Sequence, residues 1–299
     1  MSLVVVGSVA LDTVYTPRGQ LVDGLGGSAT YFSVAASIFG PVKLVGIVGN
    51  DFPAEHIEKL RSRGIDIEGL FTADGRTFRW AGRYDDDFGD PETLDTQLNV
   101  FSDFSPQLPA NYRNAPFLFL GNIHPALQLQ VLSQMESSKL VAADTMNFWI
   151  ERERKLLVEV LGKIDMVVIN ELEVRLLTGK SSILAGAKRI QQMGPKIVVV
   201  KRGAYGVMAM IENETLVLPA FPTDDVCDPT GAGDSFAGGM MGFIARQNDV
   251  HPSVIREAVA YGTIVGSFCV EGFSIQKLEQ LDEEVVSKRL QKLREMTQF

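Results

Sequence analysis

The chain has 299 residues, 45% of them hydrophobic, which is enough to bury a large core in one large domain or two smaller ones. Its formal charge of −9 is spread without a long like-charge block, which argues against broad nucleic-acid binding, and no apolar run is long enough to span a bilayer. Two cysteines, Cys227 and Cys269, make no disulfide framework and fit a reducing, cytoplasmic setting.

The N-terminus, Met1 to Gly7, lacks a basic leader region and reads as a strand rather than a signal peptide. Short β-rich runs recur at Leu3–Val6, Lys43–Val48, Phe117–Leu120, Leu140–Ala143, Met166–Ile169, Ile197–Val200 and Val207–Ile211. Most are continuously apolar, as strands covered on both faces are. Helical patterns lie between many of them, at Ala29–Phe39, Pro53–Arg63, Pro125–Ser137, Glu151–Leu161 and Ser182–Met193. Ser235–Ala245, Ser253–Val270 and Asp282–Met296 complete the helical set. Strand–helix alternation predicts a three-layer α/β/α sandwich with a mostly parallel central sheet. One domain over residues 1–299 is expected.

Two segments break this rhythm. About residues 12–25 and 72–103 alternate polar and apolar residues around turns, as a half-exposed sheet does. They are expected to form a small β-sheet lid. Phe78, Trp80, Tyr84 and Phe101 supply flat faces there, suited to stacking on a base or to packing a small lid core.

Several motifs carry chemistry. Asp12 follows the first strand, where ligands of open α/β sheets sit, and is placed to accept hydrogen bonds from substrate hydroxyls. Gly24-Leu25-Gly26-Gly27-Ser28-Ala29 opens a helix and fits a loose dinucleotide-binding pattern. Asn170-Glu171-Leu172-Glu173 sits where a strand gives way to a helix, with Asn170 and Glu173 at capping-box spacing. Lys201-Arg202-Gly203-Ala204-Tyr205-Gly206 reads as a turn between strands. The P-loop pattern is absent, because Val174 stands where its first glycine belongs. His56, His124 and His251 are scattered and support neither a zinc site nor a histidine triad.

The most specific stretch is Asp228-Pro229-Thr230-Gly231-Ala232-Gly233-Asp234, followed by a small-residue helix. A glycine turn feeding a helix N-terminus gathers backbone amides on one point, which makes an anion site. A carboxylate placed there repels the anion unless its task is to take a proton from a group attacking that anion. Phosphoryl transfer to an alcohol makes that demand.

This stretch resembles the signature of the PfkB, or ribokinase-like, family of sugar and nucleoside kinases, with Pro229 where the family usually has Thr. Other motifs follow in family order from Gly7 to about Gly272. The resemblance implies an ATP- and Mg2+-dependent phosphotransferase acting on a primary hydroxyl. It implies Asp234 as general base, with the amides of Gly231, Ala232 and Gly233 stabilising the transferring phosphoryl group. Asn170 and Glu173 would organise Mg2+, partly through water. Lys201, Gly203, Gly206 and Thr230 would line the nucleotide. Asp12, Gly26, Gly27, Ser28, Phe78 and Trp80 would meet the acceptor. Asp228 would hold the turn, or a monovalent cation such as K+. Relatives that bind ribose carry Lys and Asn where this chain has Ser28 and Tyr31, so the acceptor expected is a nucleoside, with a furanose or other small sugar as the alternative. A non-catalytic nucleotide-binding regulator and a dinucleotide-dependent oxidoreductase stay open as readings from other classes. A homodimer through the lid is expected, with no nucleic acid or membrane as partner.

Overall fold

The computed structural model describes residues 2–298, so Met1 and Phe299 of the expected 1–299 domain lie outside the described residues. In chain order, β1 (Leu3–Val6), β2 (Ala10–Thr16) and β3 (Gly19–Gly26) lead into α1 (Ser28–Ala36). Then come β4 (Val42–Gly49), α2 (Ala54–Ser62), β5 (Ile65–Ala73), β6 (Phe78–Arg83) and β7 (Glu92–Gln97). β8 (Phe117–Leu120), α3 (Pro125–Gln134), β9 (Leu140–Asp144), α4 (Asn147–Arg152), α5 (Arg154–Leu161) and β10 (Met166–Asn170) follow. The last third holds α6 (Glu171–Thr178), α7 (Ile183–Gln191), β11 (Ile197–Lys201), β12 (Val207–Ile211), β13 (Glu214–Leu218), α8 (Ala232–Gln247), α9 (Pro252–Cys269) and α10 (Glu283–Met296).

Nine strands form the main sheet in the order β13-β12-β11-β10-β9-β8-β1-β4-β5. It is parallel from β11 to β5, and the β11–β12 and β12–β13 pairs are antiparallel. Alternate residues of each strand go to opposite faces. Leu3, Val5, Phe117, Phe119, Val168 and Val199 pack with α1, α8 and α9. Val4, Val6, Leu118, Leu120, Val167 and Val198 pack with α5, α6 and α7. The result is the expected three-layer sandwich, and its strands read as unbroken apolar runs because both faces are covered.

The second sheet has four strands, ordered β3-β2-β6-β7. β2 pairs antiparallel with β3 and parallel with β6, and β6 pairs antiparallel with β7. Both segments contribute strands to this sheet, with edges that differ from those expected. Thr72 and Ala73 belong to β5 of the main sheet rather than to the small one. The hairpin expected through Phe101 stops at Gln97, and Asn99–Asp103 is a 3-10 turn that buries Val100. β2 and β3 reach beyond residues 12–25 to Ala10 and Gly26.

Two main-sheet strands, β5 and β13, were not expected. Both lie at sheet edges with one half-exposed face, so polar residues interrupt their apolar pattern. Glu151–Leu161, expected as one helix, is divided between α4 and α5, which meet at Glu153 in a non-helical conformation.

Candidate active site

The candidate site lies where the C-terminal ends of the parallel strands β9 and β11 meet the start of α8. α8 starts there on Gly231, whose φ of 74° puts it in the left-handed region. A Cβ at this position would also overlap the ring of Tyr31, which lies buried beneath it. Only glycine meets both conditions. No side chain caps α8; Ala232 N–H donates to the Pro229 carbonyl at 3.1 Å, which leaves the amides of Gly231 and Gly233 for an external acceptor of hydrogen bonds.

Asp234 is in the first turn of α8 and only partly exposed. Burial pushes its carboxyl up to about 7, Asp144 adds to the rise, and Lys201 works against it. Such a group changes protonation near neutral pH, which suits a general base.

Three neighbouring strands end beside this turn in polar or charged side chains. Lys201 ends β11, Asp144 ends β9 and Asn170 ends β10. Lys201 Nζ pairs with Asp144 Oδ2 at 3.1 Å, and it approaches within 2.9 Å of the point where a Cβ of Gly233 would stand. Burial opposes the lysine charge, but Asp144, Glu173 and Asp234 outweigh it and hold the ammonium above its ordinary value. Asn170 and Glu173 form a complete capping box, with Asn170 Oδ1 accepting from Glu173 N–H at 2.8 Å and Glu173 Oε2 accepting from Asn170 N–H at 2.8 Å. Burial, then Asp144, pushes the Glu173 carboxyl up to about 7, while Lys201 lowers it.

Gly203 opens a 3-10 turn after β11 and Gly206 closes it. The turn is tied back by Arg202 N–H donating to the Gly206 carbonyl at 2.8 Å. Arg202 also reaches Glu171 of α6 at 3.2 Å, which fastens this turn to the capping-box helix.

On the other side of Asp234 lies a polar cluster around Asp12, which is 4% exposed. Its Oδ2 accepts from Gly27 N–H at 3.3 Å. Burial raises its carboxyl to about 7, with Gly27 N–H opposing and Asp228 and Asp234 adding to the rise. Gly26 leaves the room that Asp12 occupies, since a Cβ there would overlap the carboxylate. The parallel pairing of β2 with β6 sets Ala10 beside Phe78 and Asp12 beside Trp80. Asp12, Phe78 and Trp80 therefore share one face of the small sheet. Phe78 stacks on Phe101, and the Trp80 indole donates to Thr93 at 3.4 Å.

Asp228 is fully buried; its Oδ1 accepts from Thr230 N–H at 2.9 Å, and its Oδ2 has no protein partner. Burial raises its carboxyl against the opposing donors of Thr230 and the Ser274 N–H. Two expected contact residues have their hydroxyls committed within the protein. Ser28 Oγ lies 3.1 Å from Ser8 Oγ and accepts from Ser8 N–H, stitching the loop after β1 to α1. Thr230 Oγ1 donates to Tyr84 at 3.2 Å.

The structure thus gathers Asp234, Lys201, Asn170, Glu173 and Asp12 around the α8 turn. It adds Asp144, which the sequence reading had left out. The signal was present: an acidic residue ends the buried run Leu140–Ala143 at the ligand-facing end of a parallel strand. Among the described residues there is no cluster of three or more His, Cys, Asp or Glu able to hold a metal. No helix among them is long and apolar enough to cross a membrane.

With this geometry in view, the comparisons are specific. The pfkB family carbohydrate kinase model matches residues 2–280. A cytidine kinase of Thermococcus kodakarensis is 30% identical over 251 residues, covering 82% of this chain and 89% of that protein. A fructokinase of Vibrio alginolyticus is 24% identical over 284 residues, covering 88% and 91% of the two chains. A putative ribokinase II of E. coli, solved in complex with ATP and Mg2+, superposes with a TM-score of 0.81 at 20% identity, over 98% of this chain and 100% of that one. The chain belongs to the pfkB family of carbohydrate kinases and is a phosphotransferase that acts on a hydroxyl group.

Proposed function

We propose that this kinase transfers the γ-phosphoryl group of ATP to a primary hydroxyl of a nucleoside of the cytidine, adenosine or inosine type. The observation that carries the chemistry is Asp234 in the first turn of α8, one residue beyond the turn Gly231-Ala232-Gly233. ATP supplies the phosphoryl group, and Mg2+ offsets the charge on its phosphates. Asp234 takes the proton from the acceptor hydroxyl as its oxygen bonds to phosphorus and the bond from phosphorus to the ADP oxygen breaks. The amides of Gly231 and Gly233 face the charge on the transferring group, while the expected third donor, Ala232 N–H, is committed to the Pro229 carbonyl and holds the turn. Lys201, fixed by Asp144, lies beside Gly233 and meets the same charge.

The residues present fit a magnesium polyphosphate. Mg2+ keeps several waters and takes few protein ligands besides phosphate oxygens. A buried Glu173 with Asn170 at the mouth of β10 fits that sparse donor set, whereas an all-protein cage is absent among the described residues. Gly203 and Gly206 line the nucleotide side, and Thr230 closes it toward the small sheet. The orphaned, buried Asp228 Oδ2 fits a monovalent cation such as K+.

Asp12 accepts from the acceptor's hydroxyls, with Gly26, Gly27 and Ser28 shaping the backbone beside it. Phe78 and Trp80 on the same face offer a stacking surface for a base. The similarity to a cytidine kinase supports the nucleoside reading, and the fructokinase similarity keeps a small sugar as the second. The small sheet acts as a lid over one domain, which excludes water from the transfer. Its open edges, β3 and β7, fit pairing with a second copy of the chain, and light scattering checks for that dimer.

ATP-dependent ADP release with Mg2+, across nucleosides and simple sugars and with Asp234→Asn as blank, tests the proposal. Activity concentrated on nucleosides is expected. Activity on sugars alone would overturn the acceptor class and keep the mechanism.

A further inference from the structure

The phosphate-facing turn has no side-chain cap on α8, so something else must hold it in place. Its holder is Thr230, which is secured at three atoms. Its N–H donates to Asp228 Oδ1 at 2.9 Å, and its carbonyl accepts from Cys269 Sγ at 3.6 Å. The third tie comes from a different sheet: Thr230 Oγ1 donates to the Tyr84 hydroxyl at 3.2 Å. Tyr84 directly follows β6, the strand that carries Phe78 and Trp80. Its own N–H donates to the Tyr15 carbonyl of β2 at 2.8 Å, and the side chain is 7% exposed. The wall that meets the acceptor and the turn that meets the phosphate are therefore joined through one buried phenol.

We infer that Tyr84 is a positioning residue that sets the anion-binding turn in register with the acceptor-binding sheet. Movement of β6 on seating an acceptor is passed through Tyr84 and Thr230 to Gly231, so the amides reach their working geometry when an acceptor is in place. This inference rests on the kinase site proposed above, but it does not depend on which acceptor is used. A neighbouring phenol, Tyr31, supports the same turn from below by packing alone, since its hydroxyl has no protein partner.

The test is Tyr84→Phe, which keeps the ring and removes the hydroxyl. In the apoprotein, hydrogen exchange at the two hydrogen-bonded amides of the turn, Thr230 and Ala232, should accelerate about 3- to 10-fold, the range set by one neutral hydrogen bond, while the α9 interior is unchanged. Turnover with the best acceptor of the panel should fall by a similar ~3- to 10-fold, with the KM for ATP nearly constant. Thr230→Val should match Tyr84→Phe, Thr230→Ser should restore turnover, and the double variant Tyr84→Phe/Thr230→Val should be no worse than either single one. A purely structural hydrogen bond would lower the melting temperature and leave exchange at the turn and kcat in place. That outcome, or additive losses in the double variant, would overturn the inference. If the panel shows a sugar as acceptor, the nucleoside reading fails while the exchange experiment still decides the role of Tyr84.

Discussion

The α8 turn and the small sheet meet at the hydrogen bond from Thr230 to Tyr84, and they are built on different principles. The turn is made of backbone: Gly231 in the left-handed region, no side-chain cap on the helix, and a single carboxylate at Asp234. The small sheet works through side chains: Asp12, Phe78 and Trp80 on one face, with β7 largely exposed. Backbone recognition of phosphate tolerates little change in sequence, because any side chain added at Gly231 collides with Tyr31. Side-chain recognition of an acceptor is open to change, because exchanging one aromatic residue leaves the sheet's hydrogen bonds intact. The proposed division of roles is compatible with relatives as unlike as a cytidine kinase and a fructokinase.

The comparison breaks most sharply at Asp234. Asp234→Asn should lower kcat by about 10²- to 10⁴-fold, as removal of a general base does, while binding of ATP measured by calorimetry is retained. Near-normal turnover would remove the base from Asp234. Next in size is Lys201→Met, which deletes a charged partner of the phosphates and leaves Asp144 unpaired. The expected result is a rise in the KM for ATP of roughly 10- to 100-fold with the acceptor KM much less affected. Gly231→Ala sharpens the backbone side: left-handed strain of about 1–2 kcal/mol, plus the clash with Tyr31, should appear as lost stability in urea unfolding together with lost turnover.

Trp80→Ala probes the other side. If it stacks on a base, the acceptor KM should rise by the equivalent of about 1–3 kcal/mol while the KM for ATP stays put. An unchanged acceptor KM would leave Trp80 as packing within the small sheet.

The smallest effect is in pH dependence. Asp12, Glu173 and Asp234 are each raised to about 7 in the folded protein, above the ordinary carboxyl range. A raised carboxyl favours folding while protonated, so this contribution is full below pH 4 and is lost as pH rises toward 7 and above. The apoprotein should therefore melt higher at pH 5.5 than at pH 8, other titrations being equal. Asp234→Asn should raise the melting temperature at pH 8 more than at pH 5.5. The same titration should give kcat/KM an ascending limb near pH 7 that vanishes with the Asn variant.

Much of the framework was legible in the sequence. The buried strands from Leu3–Val6 to Val207–Ile211 were readable as apolar runs, because a parallel sheet covered on both faces admits little else. Gly231 to Asp234 announced the start of α8, and with it the anion site proposed above. Asn170 and Glu173 showed their capping box through spacing alone, a contact confined to four consecutive residues.

Tertiary structure decided the rest, for one physical reason: the contacts join residues far apart in the chain. β5 and β13 became strands by pairing at the edges of a sheet that other strands had built. Asp144 became part of the site because β9 ends two strands from Lys201 on β11. Ser28 turned inward to Ser8, and Thr230 turned toward Tyr84, through pairings that no local pattern marks. Local spacing determined which segments could fold and which chemistry they could carry. The packing of the two sheets and their helices determined which side chains meet, because only folded proximity decides which partner satisfies each buried polar atom.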